Sequence, residues 1–90
     1  MPTFKPDSLM TFDTAEACRR RLVDFLKQTR ESDVIMDLSV VSHCDSAGLA
    51  LLIEAQRLCR QLHKRCQITN IPPLVHALAE FCGLEKIVVS

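Results

Sequence analysis

The chain has 90 residues and a mass of 10.1 kDa, with 48% apolar residues, 24% charged residues and a formal net charge of zero. A chain of this length holds one hydrophobic core, so we predict a single domain over residues 1–90 and not a large multi-substrate enzyme. With balanced charge and only four aromatic residues, the sequence offers neither a basic surface for phosphates nor a stacking platform for bases. We therefore expect no nucleic-acid binding.

The apolar segments of the chain indicate its cellular compartment, and the spacing of its cysteines indicates whether their thiols are reduced. The longest run without a polar side chain, Ala47 to Ile53, is seven residues, whereas a membrane-spanning helix needs roughly 20. No basic segment followed by an apolar stretch opens the chain, so we expect no signal peptide and a cytoplasmic protein. Five cysteines without a C-x-x-C pair fit reduced, mostly buried thiols.

The first half of the chain predicts a strand, a helix and a second strand. Residues 9–12 can extend, and Asp13 with Glu16 resembles a capping box that starts a one-sided helix ending near Arg30. Residues 33–41 are rich in β-branched side chains and too few for a helix. They predict a strand that is buried on both faces and central in a sheet.

The second half predicts two helices and two more strands. Asp45 is the expected N-cap of a helix from Ser46 to about Lys64, in which Gly48 allows close backbone approach. Residues 66–71 form the next predicted strand, and residues 87–89 form the last. Between them we predict a third helix that begins at a proline, ends at a glycine and buries one apolar face: Pro73, Gly83, and Leu74, Leu78 and Phe81.

Strands that alternate with helices must pair in parallel through crossover connections. The predicted fold class is therefore α/β, with about four mostly parallel strands and three helices.

The helix after Asp45 has more apolar surface than one core contact needs. A core stripe gathers on one side of the helical wheel: Leu51, Leu52, Ala55, Leu58, Cys59, Leu62 and Cys66. Leu49, Ala50 and Ile53 point elsewhere, on the side of Ser46, and Arg57 and Arg60 continue their row. Either a neighbouring element covers this second face, or it is an exposed patch for a partner.

Ser46 has two interpretations at this stage. It can complete the N-terminal cap beside Asp45, which is the commoner use of serine at this position. It can also be a phosphorylation site, where a phosphate is tolerated by the helix N-terminus but adds negative charge against a docked partner.

Other chemistries find little support in the residues. His43, Asp45 and Ser46 are close in sequence, but no nucleophile elbow accompanies them. Cys59, His63 and Cys66 share a helical face without an evident fourth metal ligand. No phosphate-binding glycine loop occurs in a chain with two glycines. We predict no catalytic residue, no metal and no cofactor.

Two short motifs in strand-helix order resemble a known family. Asp37-Leu38-Ser39 is followed by Asp45-Ser46-Ala47-Gly48-Leu49, and this combination looks like a STAS domain, the family of sulphate transporters and anti-sigma-factor antagonists. The resemblance covers about residues 9–90. It implies the STAS fold and a non-enzymatic interaction domain whose partner surface includes the loop before Ser46 and the first turns of its helix. The predicted partner-binding residues are His43, Cys44, Asp45, Ser46, Leu49, Ala50, Ile53 and Arg57.

Two branches of the family fit. The second half looks most like the MlaB branch, the STAS subunits of the Mla phospholipid-transport ABC system of Gram-negative bacteria. This likeness implies docking onto the cytosolic ATPase subunit, at the cytosolic face of the inner membrane. The alternative is an anti-sigma factor antagonist, in which phosphorylation of the serine that matches Ser46 releases a kinase-like anti-sigma factor.

The sequence also departs from the family pattern. Only Thr3 to Lys5 is available for the first family strand, which is predicted to be short or missing, and we do not expect the usual last helix within these 90 residues. An uncovered sheet edge can pair with another chain. Self-association into a homodimer through such an edge is therefore a hypothesis.

Overall fold

The computed structural model describes residues 1–84 and 86. This part of the chain contains three helices and five strands: β1 Thr3–Phe4, β2 Leu9–Met10, α1 Phe12–Gln28, β3 Asp33–Asp37, β4 His43–Cys44, α2 Ser46–Gln61, β5 Arg65–Thr69 and α3 Pro73–Phe81. The α/β class is confirmed. The predicted strand at residues 87–89 lies outside the described residues. Among the described residues, no helix combines the length and apolar character needed to cross a membrane.

The strands form two small parallel sheets, one in the order β1-β3-β5 and one pairing β2 with β4. The predicted central position of β3 is confirmed. Its expected burial on both faces is wrong, because buried and half-buried side chains alternate from Asp33 to Asp37. The strand also ends earlier than predicted. The Asp37 carboxylate accepts a hydrogen bond from the Ser39 backbone N–H at 2.9 Å, which turns the chain away from the sheet.

The first family strand is present but has only two residues. The Ile35 N–H donates to the Pro2 carbonyl at 2.9 Å, and β1 lies parallel to β3. Phe4 is 8% exposed, and its ring centroid lies 5.6 Å from that of Phe25 on α1. One buried aromatic ring thus anchors a strand that its length alone would not stabilise.

Helix α1 begins two residues before the predicted start, because Thr11 and not Asp13 is its N-cap. The Thr14 hydroxyl accepts a hydrogen bond from the Thr11 N–H at 3.0 Å, so a Thr-x-x-Thr sequence serves as the cap. Phe12, which we expected in a strand, is the first helical residue and is 81% exposed.

Helix α2 begins at Ser46 as predicted but ends at Gln61, before the predicted end at Lys64. His63 takes a left-handed backbone conformation with φ 57°, and the chain turns there into β5. Leu62 is therefore the C-cap and is 40% exposed, not part of the core stripe. Cys66 belongs to β5 and is half-buried.

Helix α3 buries a face that only partly matches the predicted one, because Leu78 packs against the core as predicted but Leu74 and Phe81 do not. Val75 and Ala79 are both 0% exposed, whereas Leu74 is 39% and Phe81 is 91% exposed. Val75 and Ala79 are one turn apart and small, so the helix axis can approach the core closely through them. The predicted stop is confirmed, since Gly83 has φ 71° just after the helix.

Candidate functional site

Asp45 joins the starts of two helices. Its Oδ1 accepts hydrogen bonds from the backbone N–H groups of Ala47 and Gly48, at 2.9 and 3.1 Å. Its Oδ2 accepts one from the Phe12 N–H, the first of α1, at 3.0 Å. These bonds, with that from Phe12 the strongest influence, hold the pKa of Asp45 below its usual range. The predicted cap is confirmed, and the link to α1 is a second role that the sequence did not reveal.

Ser46 is the first residue of α2, and its side chain is exposed. Among the described residues no hydrogen bond joins His43 to Ser46, and His43 Nδ1 lies 3.1 Å from the Ser42 hydroxyl. Asp45 is occupied by three backbone donors. The His43, Asp45 and Ser46 side chains thus do not form the hydrogen-bonded relay that nucleophilic catalysis uses.

The backbone packs tightly behind this turn. A Cβ atom on Gly48 would collide with the Met10 carbonyl oxygen and would lie 2.8 Å from Cys44 Sγ. The prediction of close approach at Gly48 is therefore confirmed. Cys44 is half-buried, and desolvation, aided by the nearby Asp45 charge, raises the pKa of its thiol to about 11. Cys44 contributes mainly to packing at this position.

The outward face of α2 is narrower than predicted. Leu49 is 1% exposed and belongs to the core, so its predicted position on the partner surface is wrong. Strands β2 and β4 and helix α3 all pack against α2, and they cover more of its circumference than a helical wheel can indicate. Ile53 is 41% exposed and Ala50 is also exposed, as predicted.

Arg57 is held by a carboxylate on its own helix. Its Nε and Nη2 donate to the two Glu54 carboxylate oxygens at 2.6 and 2.9 Å, and Arg19 Nε of α1 donates to Oε2 at 2.9 Å. These hydrogen bonds, led by those from Arg57, lower the pKa of Glu54 to about 2. Arg57 is exposed at the rim as predicted, but with a fixed orientation.

A shallow groove of about 370 Å³ lies between α1 and α2. It is lined by three alanines, one leucine and three charged residues from the two helices: Ala15, Ala47, Ala50, Leu51, Glu16, Arg19 and Glu54. Phe12 shares the α1 face of Ala15, Glu16 and Arg19 by helical spacing. The groove provides apolar groups and the Arg19 guanidinium, and the exposed Ser46 hydroxyl and Arg57 guanidinium lie elsewhere on α2; together these groups suit the docking of a protein.

Comparison with solved structures identifies the fold. The chain is similar to the anti-sigma factor antagonist SpoIIAA in its unphosphorylated form, with TM-score 0.72 and 20% identity over 93% of this chain and 73% of that chain. It is also similar to a sulfate transporter family protein from Wolinella succinogenes, with TM-score 0.73, 17% identity, and 97% and 70% coverage. The phosphorylated form of the Bacillus cell fate determinant SpoIIAA gives TM-score 0.67, 19% identity, and 93% and 76% coverage.

Comparison with sequence-family models identifies the family in addition to the fold. No curated protein matches the chain. The family model described as "Mlab, STAS domain" matches residues 8–89, which include the Asp37-Leu38-Ser39 and Asp45-Ser46-Ala47-Gly48-Leu49 motifs. The chain therefore belongs to the MlaB STAS domain family.

Proposed function

We propose that this chain is a non-enzymatic interaction subunit that binds and supports the cytosolic ATPase of a Mla-type phospholipid-transport ABC complex, which maintains outer-membrane lipid asymmetry. The observation that supports this function is the match of residues 8–89 to the MlaB family model. In this function the chain is cytoplasmic, lies at the inner membrane only through its partner, and contributes no catalytic residue. Any ATP hydrolysis belongs to the ATPase.

The partner surface we propose consists of the exposed residues at the start and along the outer face of α2. Ser46, Ala50 and Ile53 supply a hydroxyl and apolar area, and Arg57 lies at the rim. The exposed His43 precedes them. Cys44 and Asp45 support this surface from below through packing and backbone hydrogen bonds. An apolar centre with a charged rim is the usual anatomy of a protein interface.

The experiment that tests this function is purification of the tagged protein from its own organism, followed by mass spectrometry. Co-elution of an ABC ATPase with its permease is the expected result. A direct binding measurement with that purified ATPase, using wild type and Ile53→Ala, then tests the surface. Recovery of no ATPase, together with no binding between the purified proteins, would contradict the proposal.

A second function is favoured by the similarity to SpoIIAA in both phosphorylation states. We propose, as the alternative, an anti-sigma factor antagonist that binds a kinase-like anti-sigma factor and is released by phosphorylation of Ser46. The Ser46 side chain is exposed at the first helical position, where a kinase can reach it. Recovery of such a kinase, with phosphate on Ser46, would replace the transport function with this one.

Ser46→Asp is the variant to compare with wild type in binding measurements with the ATPase and with the kinase-like anti-sigma factor. The added charge stands next to the Asp45 carboxylate and faces the docked partner, so we expect weaker binding with either partner. Ser46→Ala is its matched control, because it removes the hydroxyl without adding charge. Equal binding by all three proteins would leave Ser46 with only a structural role.

Self-association through a sheet edge stays a prediction. Among the described residues, β1 and β5 are the edge strands of the three-stranded sheet, and edge backbone groups can pair with another chain. Light scattering during size-exclusion chromatography, over a range of protein concentrations, distinguishes monomer from dimer.

A further inference from the structure

An aromatic side chain stands exposed beside the proposed partner surface. Phe12 is 81% exposed, and its backbone N–H donates to Asp45 Oδ2 at 3.0 Å. That bond fixes the first turn of α1 against the turn that begins α2. Phe12 therefore has a defined position next to Ser46, although its ring is open to solvent. Aromatic residues, Phe among them, are enriched in protein interfaces.

Helix α1 thereby extends the surface beyond α2. Phe12 shares a helical face with Ala15 and Arg19, which line the groove between the two helices. Ala50 of α2 lines the same groove, and Ile53 follows it on the outer side. We define the α1–α2 surface as the exposed side chains that continue from α1 across α2: Phe12, Ser46, Ala50, Ile53, Arg57 and Arg60.

The charges at the two ends of this surface have opposite sign. Towards the C-terminal end of α2, Arg57 and Arg60 are exposed, and the Glu54 carboxylate pairs with Arg57 and with Arg19 of α1. Within residues 1–84 and 86, no carboxylate lies at ion-pair distance from Arg60. At the opposite end, exposed Asp13 and Glu16 flank Phe12, and Glu16 pairs with Arg20 at 3.5 Å.

Backbone hydrogen bonding limits what can dock here. The surface is made of two helices, whose backbone groups bond within the helix, so a partner strand cannot extend a sheet on it. An elongated surface of apolar side chains along helices is instead recognised by an amphipathic helix through its own side chains. From Ser46 to Arg60 the α2 axis runs about 21 Å at 1.5 Å per residue, which spans about four turns of such a helix.

We propose that the α1–α2 surface docks one amphipathic helix of the protein partner, with Phe12 as its aromatic anchor. The partner helix packs its apolar face on Phe12, Ala50 and Ile53. Its acidic end lies over Arg57 and Arg60, and its other end lies over Asp13 and Glu16. This inference rests on the proposed function for the identity of the partner, and it adds the docking element and its orientation.

The first test measures the affinity for the purified ATPase subunit of the Mla-type transporter by titration calorimetry. Phe12→Ala is expected to weaken binding by about tenfold or more. Phe81→Ala is the matched control, because Phe81 is 91% exposed but lies on α3, and its affinity should stay within about twofold of wild type. Circular dichroism of both variants checks that they remain folded.

The second test examines orientation. Arg60 and Lys27 are each the basic residue in the last turn of a helix, so Arg60→Glu and Lys27→Glu disturb their helices equally. Arg60→Glu is expected to weaken binding several-fold at low salt and less at high salt, whereas Lys27→Glu is not. An Arg60→Lys variant coupled to the ATPase with a carbodiimide should cross-link to a carboxylate on a helix of the ATPase.

The outcomes separate this inference from the proposed function. Failure of the wild-type chain to bind the ATPase overturns the proposed function and, with it, the assignment of the partner. If wild type binds but Phe12→Ala and Arg60→Glu behave like their controls, the docking mode is wrong and the function stands. Cross-links to a loop or strand of the ATPase contradict a helical docking element. Loss of a homodimer in Phe12→Ala would instead assign the surface to a second copy of the chain.

Discussion

The β4–α2 junction and the C-terminal end of α3 contain the same kinds of residue in opposite surroundings. The junction contains Cys44, Gly48 and Leu49, which are half-buried or buried. The end of α3 contains an apolar residue, a cysteine and a glycine in series, Phe81, Cys82 and Gly83, and all three are exposed. The junction is packed by β2, β4 and α3. By contrast, apart from Gly83 and its two chain neighbours, no described atom lies within 4 Å of the position that a Cβ on Gly83 would occupy.

The start of α2 is therefore packed and capped more completely than the C-terminal end of α3. Helix α2 starts with a carboxylate that accepts three backbone hydrogen bonds. Helix α3 starts at Pro72 without a side-chain cap and ends with bonds between backbone groups only. A rigid junction can hold an exposed surface in fixed geometry, which is what the interface proposed beside it requires.

The largest expected contrast is between Leu49 and Phe81, in the free energy of unfolding that is lost when each is replaced by alanine. Leu49→Ala leaves a cavity in the core and should lower the free energy of unfolding by about 3 kcal/mol. Phe81→Ala removes an exposed ring and should change it by about 0.5 kcal/mol or less. Urea unfolding followed by circular dichroism measures both values. Similar values for the two variants would contradict the burial of Leu49 and the exposure of Phe81.

The same substitution at the two glycines gives the next contrast. Gly48→Ala places a methyl group against the Met10 carbonyl and Cys44 Sγ, and should cost about 2 kcal/mol through displacement of β2 and β4. Gly83→Ala meets open space but must keep φ near 71°, which costs about 1 kcal/mol for an L-residue. Thermal unfolding of both variants tests the order, and a smaller loss for Gly48→Ala would contradict the tight approach.

Asp45 allows a test of the cap through pH. Because hydrogen bonds lower its pKa in the folded state, its stabilising effect is present above its ordinary pKa and is lost as pH falls through the folded value. Asp45→Ala should therefore lower the urea midpoint at pH 7, and the difference from wild type should shrink as the pH falls below about 4. A difference that does not change with pH would point to packing and not to the charged cap.

Cys44 and Cys82 give the smallest expected effect, which is a difference in chemical reactivity without a change in fold. The pKa of the Cys44 thiol is raised to about 11 by desolvation, so little thiolate exists at pH 8 and the group is half-buried. Cys82 is exposed. Iodoacetamide should therefore modify Cys82 well before Cys44, as peptide mass spectrometry can follow over time. Equal rates in the native protein, with urea-unfolded protein as the reference, would show that the junction opens readily.

Local features could be predicted from neighbouring residues. Asp45 precedes an apolar helix and has the side chain that caps free N–H groups, and Gly83 follows a helix where only glycine is unstrained. Gly48 indicated a close approach without identifying Met10 as the neighbour. The cap of α1 was missed because two threonines serve in place of the predicted Asp13 and Glu16, although Thr11 and Thr14 have the right spacing.

Which face of a helix is covered could not be predicted in the same way. Leu49 was expected outside and Phe81 inside, and both positions are reversed. A helical wheel gives the angle between side chains, but it contains no information on how many elements surround the helix. Phe12 was assigned to a strand, so its exposed position beside Asp45 became visible only when α1 was seen to begin at that residue.

The sequence by itself determined the α/β order of elements, the N-cap of α2, the start and stop of α3, and the motifs that indicate the family. These depend on residues within a few positions of each other, whose hydrogen bonds and backbone preferences are local. Only the tertiary structure decided that Leu49 is core, that Asp45 links two helices, and that Ala15 of α1 and Ala50 of α2 line one groove. Those outcomes depend on segments more than thirty residues apart, such as the Phe12 to Asp45 hydrogen bond, and burial is decided where such segments meet.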